Sequence, residues 1–297
     1  MENVLSTHQL SKHYGRLKAV NNLDLNIPKG SVFGILGPNG SGKTTTLGML
    51  LDVIQPTSGF YNWFGAKGSK EQRKKIGAIL ETPIFYPYLS AYDNLKIVAL
   101  IKEVPKERIP EVLEQVGLAD RQKDNFRTYS LGMKQRLSIA SALLCNPEVM
   151  ILDEPTNGLD PQGIADIRAL IIDIAKHGKT IILASHLLDE VQKVCTDFAV
   201  LKNGNLIFTG KVDDVSKGES KVILKANGNI ESVLANCPIV TQAEPGLNGQ
   251  FELILTEGKT AEDLSAYLFE QKIMVTHLET QTKTLEKQFL ELLNNAK

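Results

Sequence analysis

Hydrophobic and polar positions along the chain fall into alternating strand-like and helix-like stretches. Ala19 to Ile27 carries apolar residues at Val20, Leu23, Leu25 and Ile27, partly alternating, and is closed by Pro28-Lys29-Gly30. Val32-Phe33-Gly34-Ile35-Leu36 is a near-continuous apolar run, the pattern of a strand covered on both faces of a parallel sheet. A Gly-rich turn follows, and Thr44 to Leu51 then has helical spacing. From about Ser90 to Leu144 the period is helical throughout. Leu95, Val98 and Ala99 share one face, Val112, Leu113 and Val116 a second, and Leu137, Ala140, Leu143 and Leu144 a third, stopped by Pro147. Apolar strand runs resume at Val149-Met150-Ile151-Leu152, Thr180 to Ala184 and Phe198 to Leu201, with a helical segment over Ile164 to Ala175 between the first two. Strands alternating with helices predict a parallel α/β sheet.

The tail has a different grain. It predicts strand (Lys221 to Ala226), helix (Ile230 to Ala235), strands (Ile239 to Gln242, Phe251 to Leu255), helix (Ala261 to Glu270) and strand (Ile273 to Leu278). That is the split-βαβ, ferredoxin-like order. Thr260 with Asp263 has capping-box spacing for the second helix. A last amphipathic helix, Leu285 to Leu293, would align Leu285, Phe289 and Leu292. Charge marks the same boundary. Residues 212–297 hold 8 Lys, no Arg and 13 Asp plus Glu, a net charge of −5, so residues 1–211 carry +4 of the total −1. The expected organisation is a cassette over 1–211, with a helical insert over about 82–145, and an α+β accessory domain over 212–297.

Overall composition changes the picture mainly by exclusion. With 297 residues, 42% of them hydrophobic, and balanced charge, the chain is neither disordered nor an electrostatically driven nucleic-acid binder. Cys145, Cys195 and Cys237 are widely spaced and odd in number, which favours free thiols over a disulfide framework or zinc site. The first residues lack the basic-then-apolar pattern of a signal peptide. No apolar run approaches the roughly 18–20 residues of a spanning helix. An intracellular protein is expected, and any work at a membrane would need another chain to hold it there. The run Lys70 to Lys75 reads as a solvated helix face rather than a membrane-binding patch.

Three segments carry chemistry. Gly37-Pro38-Asn39-Gly40-Ser41-Gly42-Lys43-Thr44 fits GxxxxGK[ST] and sits between an apolar strand and a helix. Glycines let backbone N–H groups turn toward phosphates, and the helix start adds a favourable dipole. Lys43 can reach the β- and γ-phosphates and the Thr44 hydroxyl can ligate Mg²⁺. Val149 to Leu152 leads to Asp153-Glu154-Pro155, two carboxylates at a strand's C-terminal end, where open α/β sheets bind ligands. Asp153 suits the metal's water shell and Glu154 suits a general base. Ser130-Leu131-Gly132-Met133-Lys134-Gln135-Arg136 opens a helix. Ser130 is at least an N-cap, and with Gly132 could form a second anion site.

These three motifs, in this order and spacing, resemble the nucleotide-binding subunit of ATP-binding-cassette (ABC) transporters over about residues 4–211. The segment from Ser130 is similar to the family signature LSGGQ. It departs from it at Tyr129, Leu131, Met133 and Lys134, and keeps Ser130 and Gly132 at the phosphate-contacting positions. The resemblance implies a P-loop fold with a mixed core sheet, ATP and Mg²⁺ as ligands, and ATP-binding residues at Tyr14, at Gly37 to Thr45 (Gly37, Pro38, Asn39, Gly40, Ser41, Gly42, Lys43, Thr44, Thr45), and at Ser130, Gly132 and Asp160. Tyr14 would stack on adenine, a position that by itself reads as packing. Asn157-Gly158-Leu159-Asp160 is similar to the loop crossing the dimer interface. His186 resembles the histidine that contacts the γ-phosphate, so Glu154, His186, Lys43 and Glu81 form the implied catalytic set, with Thr44, Asp153 and Glu81 on the metal. Glu81 stands where the family usually has Gln.

Glu81-Thr82-Pro83 and the acidic tail resemble the bacterial branch that exports bacitracin and lantibiotic-type peptides. One chain with one set of motifs implies a head-to-tail dimer with a second ATP-binding subunit, a separate membrane permease docked near Tyr86 to Leu100, and a location on the inner face of the cell membrane. The rival reading is an ABC ATPase not coupled to transport, which would co-purify with no membrane protein.

Overall fold

The structure is a computed structural model that describes residues 2–80, 84–216, 221–228, 230–246, 249–256 and 258–281. Glu81 and the expected helix Leu285 to Leu293 lie outside the described residues. In chain order the elements are β1 (Asn3–Tyr14), β2 (Leu17–Leu23), β3 (Asn26–Pro28), β4 (Val32–Leu36), α1 (Lys43–Leu50), β5 (Ser58–Trp63), β6 (Ala66–Lys67), α2 (Lys70–Arg73), β7 (Ile76–Ile79), α3 (Ala91–Ile101), α4 (Arg108–Gln115), α5 (Leu131–Leu143), β8 (Val149–Asp153), α6 (Pro161–Lys176), β9 (Thr180–Ser185), α7 (Leu188–Val194), β10 (Asp197–Lys202), β11 (Asn205–Lys211) and α8 (Val212–Ser216). The tail adds β12 (Lys221–Ala226), α9 (Glu231–Ala235), β13 (Val240–Pro245), β14 (Phe251–Leu255), α10 (Ala261–Glu270) and β15 (Val275–Gln281). The chain divides into two compact units after Val212.

The first unit holds two sheets. One is antiparallel, in the order β2-β1-β5-β6, with β3 also on β1. The other runs β11-β10-β4-β9-β8-β7 and is parallel except for β11. Every residue of β4, β8 and β9 is buried, as the continuous apolar runs require of strands with both faces covered. The apolar core joins the two sheets through Leu5, Leu10, Val20 and Trp63 from the antiparallel side and Phe33, Ile35, Ile151 and Ile182 from the parallel side.

The stretch from Ala19 to Ile27 is not one strand. Gln9 and Asn22 both take positive φ, and Asp24 Oδ1 accepts from the Gln9 N–H at 2.7 Å. This kink splits the pairing. β2 lies along Leu10 to Tyr14 and β3 along Asn3 to Ser6. Among the described residues between β7 and β8 lie the helices α3, α4 and α5. Ile109, Val112 and Leu113 of α4 and Leu137, Ala140 and Leu143 of α5 point inward, while Val98 of α3 is only half-buried.

The second unit is a four-stranded antiparallel sheet, β13-β14-β12-β15, the strand order of a split-βαβ unit. Its core is Val222, Leu224, Leu234, Leu253, Leu264 and Leu268. The capping box at α10 is formed. Thr260 accepts from the Asp263 N–H, and the Asp263 carboxylate accepts from the Thr260 N–H. β13 extends to Pro245, beyond the expected end at Gln242, because it pairs with β14 as far as Phe251.

Candidate functional site

Three adjacent parallel strands end side by side. Leu36 of β4 pairs with Ser185 of β9, and Ala184 of β9 pairs with Asp153 of β8. The loop after β4, the acidic pair after β8 and His186 after β9 therefore leave the sheet at one edge, where open α/β sheets bind ligands. The Gly37 N–H donates to the Ser185 carbonyl at 3.3 Å, which ties the start of the loop to the histidine strand.

The loop from Gly37 to Gly42 is built on close approach. A Cβ on Gly37 would lie 2.4 Å from the Leu201 carbonyl oxygen. Gly42 combines φ +104° with an approach that would put a Cβ 2.4 Å from the Ala19 carbonyl oxygen. Any side chain at either place forces the loop off its neighbours. Gly42 is also the N-cap of α1 and has no side chain to bond the first-turn N–H groups. Those groups open on a cleft of about 490 Å³ lined by Asn39 to Thr45, Tyr14, Leu17 to Ala19, Glu154 and Asn203. Pro38 sits at the back of the loop, where its carbonyl accepts from the Ser41 N–H at 3.1 Å.

Unpaired amides, a positive helix end and a lysine together make an anion site. Lys43 is 5% exposed, and its ammonium donates to the Gly37 carbonyl at 2.7 Å and lies 3.3 Å from Glu154 Oε1. The buried Ser41 hydroxyl has no hydrogen-bond partner among the described residues.

The two carboxylates take different partners. Asp153 is buried and accepts from the Thr44 hydroxyl through Oδ2 at 2.8 Å. Glu154 leaves the strand in the left-handed region, φ +48°, and turns its carboxylate to Lys43 on one side and His186 on the other. Its Oε2 lies 2.8 Å from His186 Nδ1. A carboxylate only accepts, so the hydrogen in this contact is on Nδ1.

Thr44 and Asp153 are a hydroxyl and a carboxylate oxygen within one hydrogen bond. This hard oxygen pair fits Mg²⁺, which keeps several waters and takes its other ligands from phosphates. Among the described residues no group of three or more His, Cys, Asp or Glu could hold a metal by itself.

Tyr14, at the end of β1, is half exposed and lines the cleft, with the Lys12 ammonium 5.1 Å from its ring centroid. Ser130, Gly132 and Asp160 come together elsewhere. They line a separate cleft of about 400 Å³ with Leu131, Met133 and Leu159. Ser130 caps α5 by accepting from the Met133 N–H, and Asp160 caps α6 by accepting from the Gly163 N–H at 2.8 Å, with Pro161 at the first helical position.

The sequence reading missed the turn Asn203-Gly204 between β10 and β11. Asn203 lines the phosphate-loop cleft, and the Gly204 N–H donates to the Ser41 carbonyl at 3.0 Å. Both residues take positive φ. Asn-Gly between two apolar runs is the hairpin signal that could have found it.

The model of the ABC transporter family matches residues 20–157. The bacitracin transport ATP-binding protein BcrA of Bacillus licheniformis is 45% identical over 228 residues, 75% of this chain and 74% of that protein. The lantibiotic transport ATP-binding protein SrtF of Streptococcus pyogenes is 41% identical, over 71% of this chain and 92% of its own length. The ABC transporter ATP-binding protein YhcH of Bacillus subtilis is 38% identical over 100% of this chain and 98% of its own. Among solved structures, cbiO1 of Clostridium perfringens, part of the transporter complex cbiONQ, superposes with a TM-score of 0.67 at 30% identity, over 72% of this chain and 91% of that one. A cassette solved as a dimer in a post-hydrolysis state with ADP and Pi gives a TM-score of 0.62 at 26% identity, over 70% of this chain and 98% of that one. The chain belongs to the ATP-binding subunits of ABC transporters, ATPases whose hydrolysis is coupled to transport.

Proposed function

We propose that this protein is the ATP-hydrolysing subunit of a bacterial exporter for a peptide antibiotic, lantibiotic or drug. It would act on the cytoplasmic face of the membrane through a separate permease. The observation that carries the catalytic reading is the carboxylate of Glu154, held between Lys43 and His186 at the mouth of the phosphate-loop cleft. In this reading the amides of residues 39–45 and the Lys43 ammonium hold the phosphates, and Tyr14 stacks on the adenine. Thr44 and Asp153, together with Glu81, would hold Mg²⁺, which would supply charge neutralisation at the phosphates. Glu154 takes a proton from the attacking water as the bond from the γ-phosphorus to the ADP oxygen breaks. His186 contacts the γ-phosphate, while its Nδ1–H keeps Glu154 in place.

The cleft that Ser130, Gly132 and Asp160 share is complementary in kind to a phosphate, with a hydroxyl, a bare glycine backbone and a helix start. It supports a head-to-tail dimer in which this face of one chain closes over ATP held by the other. The relative solved as a dimer bound to ADP and Pi supports the same reading. Likeness to the bacitracin and lantibiotic transport proteins supports the cargo class. Within the dimer the accessory unit from Asp213 onward has no assigned part in hydrolysis.

Glu154→Gln is the test. It should lower ATP turnover at least about 100-fold, retain ATP binding and accumulate an ATP-dependent dimer in gel filtration. Turnover at the wild-type rate would remove Glu154 as the base. For the cargo, co-expression with its permease should raise the inhibitory concentration of bacitracin or a lantibiotic for a sensitive bacterium. Unchanged sensitivity to both would remove the peptide-antibiotic and lantibiotic cargoes and leave only a drug.

A further inference from the structure

Glu190, in the first turn of α7, is a charged side chain that is only 3% exposed and plays no part in the reading above. A carboxylate is costly to bury unless its oxygens are hydrogen-bonded. Both are. Oε1 accepts from the Thr156 hydroxyl, and Oε2 accepts from the Ser185 hydroxyl at 2.9 Å. Thr156 stands two residues after Glu154 and Ser185 immediately before His186. One buried carboxylate thus grips both segments that present the Glu154–His186 pair.

The grip extends to the backbone. Ser185 Oγ also accepts from the Leu187 N–H at 3.0 Å, which fixes the turn carrying His186 from its other side. The Glu154 N–H donates to the Ala184 carbonyl at 2.9 Å, so the acidic loop and the end of β9 are cross-linked at two levels. Glu154 itself sits at φ +48°, a backbone state that a non-glycine residue holds only when its surroundings enforce it. Thr156, Ser185 and Glu190 are all buried, so water cannot substitute for a lost partner.

We infer that Glu190 is a positioning residue for hydrolysis, holding Glu154 and His186 in register through Thr156 and Ser185. It touches neither nucleotide nor metal. The inference rests on the catalytic reading of Glu154 and His186 given above.

Glu190→Ala should lower kcat about 10–100-fold, the cost of displacing a reacting group by an ångström or less. Because Glu154 and His186 act at the γ-phosphate, affinity for a fluorescent ADP analogue should stay within about twofold. Glu190→Gln should recover kcat to within about threefold of wild type, since its amide oxygen can accept from Thr156 and its NH₂ can donate to a rotated Ser185 hydroxyl. Thr156→Val and Ser185→Ala should each give part of the loss, and together the whole of it; they carry the test if Glu190→Ala does not fold. Wild-type kcat in Glu190→Ala or in the Thr156→Val/Ser185→Ala pair overturns the inference. So does a parallel fall in ADP affinity, which would mark a general scaffold role. If Glu154→Gln is inactive while these variants are active, only this inference fails. If Glu154→Gln turns over normally, the catalytic reading fails first.

Discussion

Tyr14 shows how little a single residue says before its neighbours are known. It is the exposed last residue of β1, and it shares a cleft with the phosphate loop, which Gly42 lets approach the Ala19 carbonyl on β2. Tyr14→Ala should raise the KM for ATP about tenfold with kcat little changed, since aromatic–base stacking contributes about 1–3 kcal/mol and is made equally in ground and transition states. Tyr14→Phe should behave as wild type, and steady-state kinetics over a range of ATP concentration separates the two. The cysteines give a second check at this scale. Burial pushes the Cys195 thiol up, far from the range in which a thiolate forms. Cys195 and Cys237 are buried and Cys145 is partly exposed. In the native protein a thiol reagent should label Cys145 first, and the other two only on unfolding. Fast labelling of Cys195 would contradict its place between β4 and α7.

Among the elements, α1 is the one whose start lines the phosphate-loop cleft. It spans Lys43–Leu50, lacks a capping side chain and is buried along most of its length. Its far end is held by Trp63 of β5, which is fully buried and donates its indole N–H to the Leu50 carbonyl at 2.9 Å. The antiparallel sheet thus holds the helix whose other end forms the anion site. Trp63→Ala should destabilise the first unit by about 3–5 kcal/mol, through a cavity and an orphaned carbonyl. At about 2–4 °C per kcal/mol for a unit of this size, melting should fall by roughly 10 °C in a calorimetric scan. Trp63→Phe keeps much of the volume and should cost less. The strands carrying the site were legible because burial on both faces writes them as unbroken apolar runs. β5 and α7 were not legible. Ser58–Trp63 exposes half its residues, and α7 is too short for helical period to stand out from the chain around it.

The whole molecule joins a cassette to a second unit with its own sheet and core. The lantibiotic relative is matched over 92% of its length by only 71% of this chain, so a stretch about the size of the second unit has no counterpart there. The relative from Bacillus subtilis matches the full chain. A protein truncated after Val212 should therefore fold and bind ATP with near wild-type affinity, as circular dichroism and nucleotide titration would show. Failure to fold would mean that the acidic unit completes the core of the first. Among the described residues no helix is long and apolar enough to cross a membrane.

By itself the sequence determined the chemistry-bearing segments and their local frames. A phosphate loop, a strand-end carboxylate pair and a capped helix start are each specified within a few residues, by backbone freedom, burial period and side-chain hydrogen bonds to nearby amides. The tertiary structure alone decided which of these meet. Strand register brought Asp153, Ser185 and Leu36 to one edge, a left-handed turn aimed Glu154 at His186 rather than at Thr44, and Ser130 with Asp160 went to a different cleft. Glu190 belongs wholly to that second class. In the sequence it is one acidic residue in a helix start, and its role arises from being buried between two loops that lie 34 and 5 residues away. Local propensity acts over a turn or a strand, whereas the energy that buries a carboxylate and satisfies it is set by packing between segments far apart in the chain.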